Sequence, residues 1–362
     1  MAAEELDIEE PSCLHMVSAF LAMEPPDVVI SFAREYGGGS VTENVQSCIW
    51  HRCISEADLK WQGPYLKRFL KKFIHEIESS GGLVMDELYE EYASYMSSLQ
   101  DHDARDSRVL KTISFLFPDV SSGSISYPRS KLEVRLQCSV NMLEGDTGLL
   151  NEWYWWNYDF QQVGSGVGLV GICLSYVKAS KVILTDGDFS TLANMKVNLE
   201  LNHLITGNHK LDNLIDSNMV NCVCLPWESA SEEDLRRFAP DIILGADVIY
   251  DPSCLPHLVR VLAILLKHHP SRAEGNKLDT SQGNETSNVS RDDLLRHPSA
   301  KGPIAYIASV IRNIDTFNYF LKLAEEANLI VTDLTEKVQV SNFLPYLRSY
   351  QRCSIRIFRI QL

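Results

Sequence analysis

Nowhere in this chain of 362 residues does an apolar run approach the roughly 18 to 20 residues that a membrane-spanning helix requires. Positive charge is also scarce. Lys and Arg number 33 against 48 Asp and Glu, a formal net charge of −15. No general basic surface is available to neutralise phosphates, so direct binding of nucleic acid is not expected. The densest basic cluster, Lys67, Arg68, Lys71 and Lys72, lies between apolar residues at helical spacing and reads as a solvated helix face. Zinc-type cysteine spacing is missing too: Cys222 and Cys224 form a C-x-C, and Cys48 and Cys53 have no second pair. The nine cysteines are odd in number, and the acidic stretch Met1 to Pro11 has no apolar signal-like core. The expectation is a soluble cytoplasmic protein with free thiols, no bound metal and no membrane contact.

What is present is of ordinary globular composition, 45% hydrophobic and 22% charged, in a chain long enough for two domains. Residues 1–122 are expected to form a helical N-terminal region, helical from residue 12 to about 117. Its clearest element runs from Pro64 to Ser79, with Leu66, Phe69, Leu70, Phe73, Ile74 and Ile77 on one face. A second helix carries Leu88, Tyr89, Tyr92, Tyr95, Met96 and Leu99, and glycine pairs and triplets punctuate between helices.

Residues 123–362 are expected to form the second domain. Leu132 to Val140 alternates apolar and polar residues, as a half-buried strand does. Strand and helix then alternate: strands at Lys181–Thr185, Val220–Leu225, Asp241–Ala246 and Ile304–Val310, with helices at Thr191–Asn202, Ser231–Phe238, Leu255–His268 and Ile314–Ala327. Nearly all-apolar strands alternating with helices imply an α/β fold, a parallel sheet covered on both faces, with its ligand outside the carboxyl ends of the strands. Residues 271–302 are poor in apolar side chains and are expected to form a disordered loop within this domain.

The strand ends carry the candidate chemistry. Val163-Gly164-Ser165-Gly166-Val167-Gly168-Leu169-Val170-Gly171 holds four glycines in eight positions before an apolar, helix-compatible stretch. Such a loop lets backbone approach a ligand that any Cβ would exclude. Because Gly166 to Gly171 also satisfies G-x-G-x-x-G, the glycines alone allow either a dinucleotide or S-adenosylmethionine. Asp186 follows about twenty residues later, the distance at which an acid meets ribose hydroxyls, or else caps the next helix. Trp227 ends the next strand and can stack on an adenine or simply pack. Asp247-Val248-Ile249-Tyr250 ends the one after that.

The block Asp241 to Pro252, with its Asp-x-x-Tyr, resembles the signature of seven-β-strand protein-lysine methyltransferases. Ser309-Val310-Ile311-Arg312-Asn313, Phe343-Leu344-Pro345-Tyr346, Ile49-Trp50-His51 and the helix around Tyr65 resemble the branch of that family that methylates elongation factor 2. The resemblance implies a Rossmann-like seven-strand sheet binding S-adenosylmethionine, and a protein substrate, elongation factor 2, recognised with help from the N-terminal region. It also implies that Gly164, Ser165 and Gly166 line the methionine end, with Gly168 in the same cofactor-binding loop. Asp186 would hold the ribose, Trp227 and Ala246 would flank the adenine, and Asp247 and Tyr250 would face the incoming lysine as catalytic residues. An NAD-dependent oxidoreductase and a non-catalytic interaction protein are the competing readings.

The chain departs from that family just before the glycines. Leu149 to Gln162 is short, aromatic and polar, with Gln162 where the family has an acid. The expectation is a central strand deficient in aliphatic residues, too short a run for a helix and a strand together, and a weakened cofactor pocket.

Overall fold

The computed structural model describes residues 11–55, 57, 59–98, 108–118, 128–139, 158–176, 179–204, 220–267, 302–337 and 354–362. The chain divides into two compact units, Met1–Glu144 with Val340–Arg352, and Gly145–Gln339 with Cys353–Leu362. The strand anticipated around Leu132–Val140 pairs inside the first unit, which makes it a partner of the helices rather than the start of the sheet domain.

The first unit contains α1 (Pro11–Leu21), α2 (Pro26–Tyr36), α3 (Glu43–Ile49), α4 (Leu59–Ser79) and α5 (Asp86–Ser98). Local chemistry starts these helices where they start. Pro26 opens α2 with a preset φ, and the Thr42 hydroxyl accepts from the Val45 N–H to cap α3. The chain continues from α3 into a π-helical turn, Trp50–Ile54. The stripe expected on α4 is buried: Leu66, Phe69, Leu70, Phe73 and Ile77 are fully enclosed. Phe69 stacks on Phe73 at 5.2 Å and meets the edge of Phe20 at 5.0 Å. Residues 108–117, expected to be helical, are instead extended. β1 (Arg108–Pro118) pairs antiparallel with β2 (Pro128–Ser139), because Val109, Ile113 and Phe115 alternate toward the core as Val134, Leu136 and Cys138 do.

The second unit carries β3 (Asp159–Val163), α6 (Leu169–Tyr176), β4 (Lys181–Asp186), α7 (Phe189–Leu201), β5 (Val220–Cys224), α8 (Glu232–Phe238), β6 (Ile242–Ala246), α9 (Leu255–Leu265), β7 (Ile304–Val310), α10 (Ile314–Glu326), β8 (Ile330–Asp333) and β9 (Ile355–Gln361). Its seven-stranded sheet runs β5-β4-β3-β6-β7-β9-β8. The first five strands in that order are parallel, and β9 lies antiparallel between β7 and β8. The α/β, Rossmann-like sheet is therefore as expected, while β8 and β9 were not anticipated. β9, Ile355-Arg-Ile-Phe-Arg-Ile-Gln361, breaks alternation at its middle, where adjacent Ile357 and Phe358 are both buried, as is Ile360. Strand order reverses between β3 and β6, which opens the ligand crevice of a doubly wound sheet at their carboxyl ends. Beneath that crevice α8, α9 and α10 bury Leu235, Phe238, Leu258, Leu262 and Phe320 against Val163, Ile183, Ile243 and Ile307.

β3 is the exception within the sheet. It forms and occupies the centre, yet Gln161 lies level with Ile183 and Ile243, and Gln162 with Leu184 and Leu244. Both side chains are fully buried, and among the described residues none of their four amide N and O atoms has a hydrogen-bond partner. Gln46 in the first unit shows the usual arrangement: its Nε2 donates to the Leu83 carbonyl and its Oε1 accepts from the Met85 N–H, both at 2.9 Å. The expected weakness of the central strand is thus located in two amides. The expected loop at 271–302, apart from Gly302, lies outside the described residues, as do the Phe343–Tyr346 segment and residues 149–157.

Gln161→Leu keeps the side-chain volume and removes an unsatisfied amide, whose burial costs about 1–3 kcal/mol. The variant should unfold at higher urea concentration, with a gain of about 1–2 kcal/mol by the same reckoning; a lower midpoint would show that the amide has a partner.

Candidate functional site

The site begins with an interlock between the glycine loop after β3 and the end of β4. The Ser165 N–H donates to the Thr185 carbonyl at 2.9 Å, and its hydroxyl accepts from the Thr185 N–H at 3.0 Å. Both hydroxyls, Ser165 Oγ and Thr185 Oγ1, donate to the Gln162 carbonyl, at 3.1 and 2.8 Å. From the far side, buried Asn198 on α7 donates from Nδ2 to the Val167 carbonyl at 2.9 Å. Thus the two strand ends and α7 hold the loop in one shape.

That shape needs glycine. Gly164 has φ +62°, and a Cβ there would fall 2.9 Å from Val248 Cγ1 and 3.2 Å from Trp227 Cζ2. The closeness comes from the neighbouring strand ends. The Leu225 N–H bonds the Asp186 carbonyl at 2.8 Å, and Arg260 Nη2 of α9 donates to the Trp227 carbonyl at 2.7 Å. The turn after β5 is so held that the Trp227 ring lies beside Gly164. Trp227 is half-buried and Ala246 is buried at the end of β6. Gly168, φ +84°, would place a Cβ 2.9 Å from Met195 Cγ, so it serves close packing against α7 as well as the turn.

Asp186 braces the same loop. Its Oδ2 accepts from the Gly166 N–H and its Oδ1 from the Asp188 N–H, each at 3.1 Å. Each oxygen keeps a further lone pair for a hydroxyl. The capping of α7 falls to Asp188, which accepts from the Thr191 N–H at 2.7 Å. Hydrogen bonds from Ser190 and Thr191 hold the Asp188 carboxyl down at about 2.

Past β6 the backbone turns left-handed at Asp247, φ +55°, a conformation that Asp tolerates better than most residues. The Asp247 N–H donates to the Ala308 carbonyl of β7 at 2.8 Å, and its side chain meets Arg312 from the turn after β7. Tyr250 is 63% exposed. Partial burial, and then the nearby Cys254, Asp186, Asp251 and Asp247, push its phenol above the usual range, so it stays protonated. Val163 pairs with Gly245 and Gly164 lies against Val248, so the glycine loop and the Asp-x-x-Tyr block follow neighbouring strand ends.

Every expected site residue therefore lies at the carboxyl ends of β3 to β6 or in the turns that follow them. Arg312, Arg260 and Asn198 carried no expected role. Arg312 had a signal, an arginine two residues past the end of β7, level with the other strand ends. Among the described residues no group of three or more His, Cys, Asp or Glu is placed to hold a metal ion.

Residues 158–277 match the profile of a family described as lysine methyltransferase. An uncharacterised protein of Dictyostelium discoideum is 33% identical over 222 residues, 57% of this chain and 53% of that protein. Protein-lysine N-methyltransferase EEF2KMT of Homo sapiens is 26% identical over 235 residues, 64% of this chain and 70% of the relative. Protein-lysine N-methyltransferase EFM3 of Chaetomium thermophilum is 31% identical over 117 residues, 30% and 31% of the two chains. The match to the first of these spans about half of that relative's length. A solved precorrin-6y C5,15-methyltransferase from Geobacter metallireducens aligns over 59% of this chain and 82% of its own at 11% identity and a TM-score of 0.33, a likeness that adds nothing to the fold described above.

Gly164→Ala introduces a Cβ that neither Val248 nor the backbone accepts. It should weaken binding of S-adenosylhomocysteine by about tenfold or more, roughly 1.4 kcal/mol. Unchanged affinity by calorimetry would remove Gly164 from the ligand site.

Proposed function

We propose, from the lysine-methyltransferase domain that this chain carries over residues 158–277, that it is an S-adenosylmethionine-dependent protein-lysine N-methyltransferase acting on elongation factor 2. The observation that carries this reading is the juxtaposition of the Gly164 cradle, braced by Asp186, with Asp247 and Tyr250 on adjoining strand ends. S-adenosylmethionine supplies a sulfonium methyl group, which passes to the lone pair of a neutral amine and leaves a thioether. Gly164, Ser165 and Gly166 would hold its methionine end, and Gly168 keeps that loop packed. Asp186 would take the ribose, while Trp227 and Ala246 would border the adenine.

The protein's own work is orientation and desolvation. An in-line displacement gains much of its rate from holding two groups in line. The target lysine starts as an ammonium with a free pKa of about 10.4 and must lose a proton. Tyr250 stays a neutral phenol, so it can hydrogen-bond the amine without acting as a tyrosinate base. Asp247 accepts an amine N–H and so aims the lone pair, while the proton leaves to solvent. The elongation factor 2 assignment rests on the likeness to the EEF2KMT relatives and on the sequence blocks around Trp50 and Arg312. Cytoplasmic location follows from that substrate.

Tritiated S-adenosylmethionine and purified protein added to a cell extract should label a band at the size of elongation factor 2, and the label should map to a lysine. Label elsewhere would overturn the substrate. In a pH series, kcat/KM should rise toward alkaline pH for both the native chain and Tyr250→Phe, because the rise follows loss of the target lysine's proton while the Tyr250 phenol is pushed above its usual range. An inflection present in the native chain and lost in Tyr250→Phe would make the tyrosinate the base and contradict this account.

A further inference from the structure

We infer that Arg312 is a positioning residue that sets the Asp247 carboxylate and offsets its charge beside the target lysine; this rests on the methyl-transfer reading above. Both carboxylate oxygens of Asp247 accept from a single guanidinium nitrogen, Nη1, at 2.9 and 2.8 Å. The carboxylate is thus held from one side, and each oxygen keeps a lone pair for a second donor. The two partners come from different strand ends. Asp247 is fixed in a left-handed turn by its bond to the Ala308 carbonyl, and Arg312 by its own N–H donating to the Val310 carbonyl at 2.9 Å. Two short backbone bonds therefore place the side-chain pair, with the Asp247 side chain mostly enclosed and Arg312 half-exposed.

The charge balance gives the pair its use. Methyl transfer needs a neutral amine, and a bare carboxylate beside that amine would stabilise its ammonium form. The surroundings would add to this, since Asp186 and Asp251 also act on Tyr250 next to Asp247. Arg312 is permanently charged and compensates one of these negative charges at the shortest range. Asp247 can then orient an N–H without trapping the proton. Carboxylate and guanidinium act as one dipolar unit.

Three variants test this: Arg312→Ala, Arg312→Lys and the double variant Arg312→Ala with Asp247→Asn. Arg312→Ala should lower kcat by about tenfold or more while the S-adenosylhomocysteine Kd stays within about threefold. Added methylguanidinium should restore part of the rate, and Arg312→Lys, which keeps the charge without the rigid, longer-reaching guanidinium, should fall between. The double variant should be no slower than Asp247→Asn alone, because Arg312 acts through that carboxylate. An unchanged kcat in Arg312→Ala overturns the inference. So does a loss that adds to that of Asp247→Asn, resists methylguanidinium, or follows a parallel loss of cofactor affinity. A native chain that methylates no lysine substrate would instead sink the functional reading itself.

Discussion

The glycine loop at the carboxyl edge of this sheet depends on the hydrogen-bonded interlock of Ser165 with Thr185 and Gln162. Those bonds tie the end of β3 to the end of β4 and hold the glycine loop in its left-handed course. With the loop so held, the Gly166 N–H reaches Asp186 and Gly164 lies beneath Trp227 and Val248. Loosening the interlock would free the loop from the acid and the ring, which their own bonds hold in place. Backbone N–H groups and hydroxyls carry the arrangement, so its precision costs few long side chains their rotamer freedom.

The same edge shows why β3 can contain glutamines. Its backbone pairs fully with β4 and β6, and its carbonyl at Gln162 anchors two hydroxyls, a role for which any residue's main chain would serve. The side chains of Gln161 and Gln162 are buried and have no hydrogen-bond partner among the described residues. Strand position is set here by the ladder and by apolar neighbours on either side, Ile183 and Ile243, Leu184 and Leu244. The loop downstream keeps its hydrogen bonds from Ser165 and Thr185 to the Gln162 carbonyl.

Much of the second unit was legible from residue patterns. Apolar runs ending in Asp186, Trp227 and Asp247 located three strand ends, and their order gave the crevice. β8 and β9 escaped because four- and seven-residue strands carry too short a local pattern, and antiparallel insertion beside β7 depends on long-range pairing. Of the β1–β2 pair only β1 escaped, because its strand character comes from pairing with β2 across the intervening residues. In the site, single residues were readable but their relations were not. Asp186 bracing a backbone N–H, Asn198 gripping the Val167 carbonyl and Arg312 holding Asp247 all join residues 20 to 65 positions apart, and no local spacing encodes them.

The glycine register alone admits a dinucleotide or S-adenosylmethionine, so the central claim is the identity of the ligand that the Gly164 cradle takes. Calorimetric titration of the full chain with S-adenosylhomocysteine and, separately, with NADH tests it most directly. The account predicts saturable one-to-one binding of S-adenosylhomocysteine and no heat of binding for NADH; NADH binding with S-adenosylhomocysteine silent would contradict it.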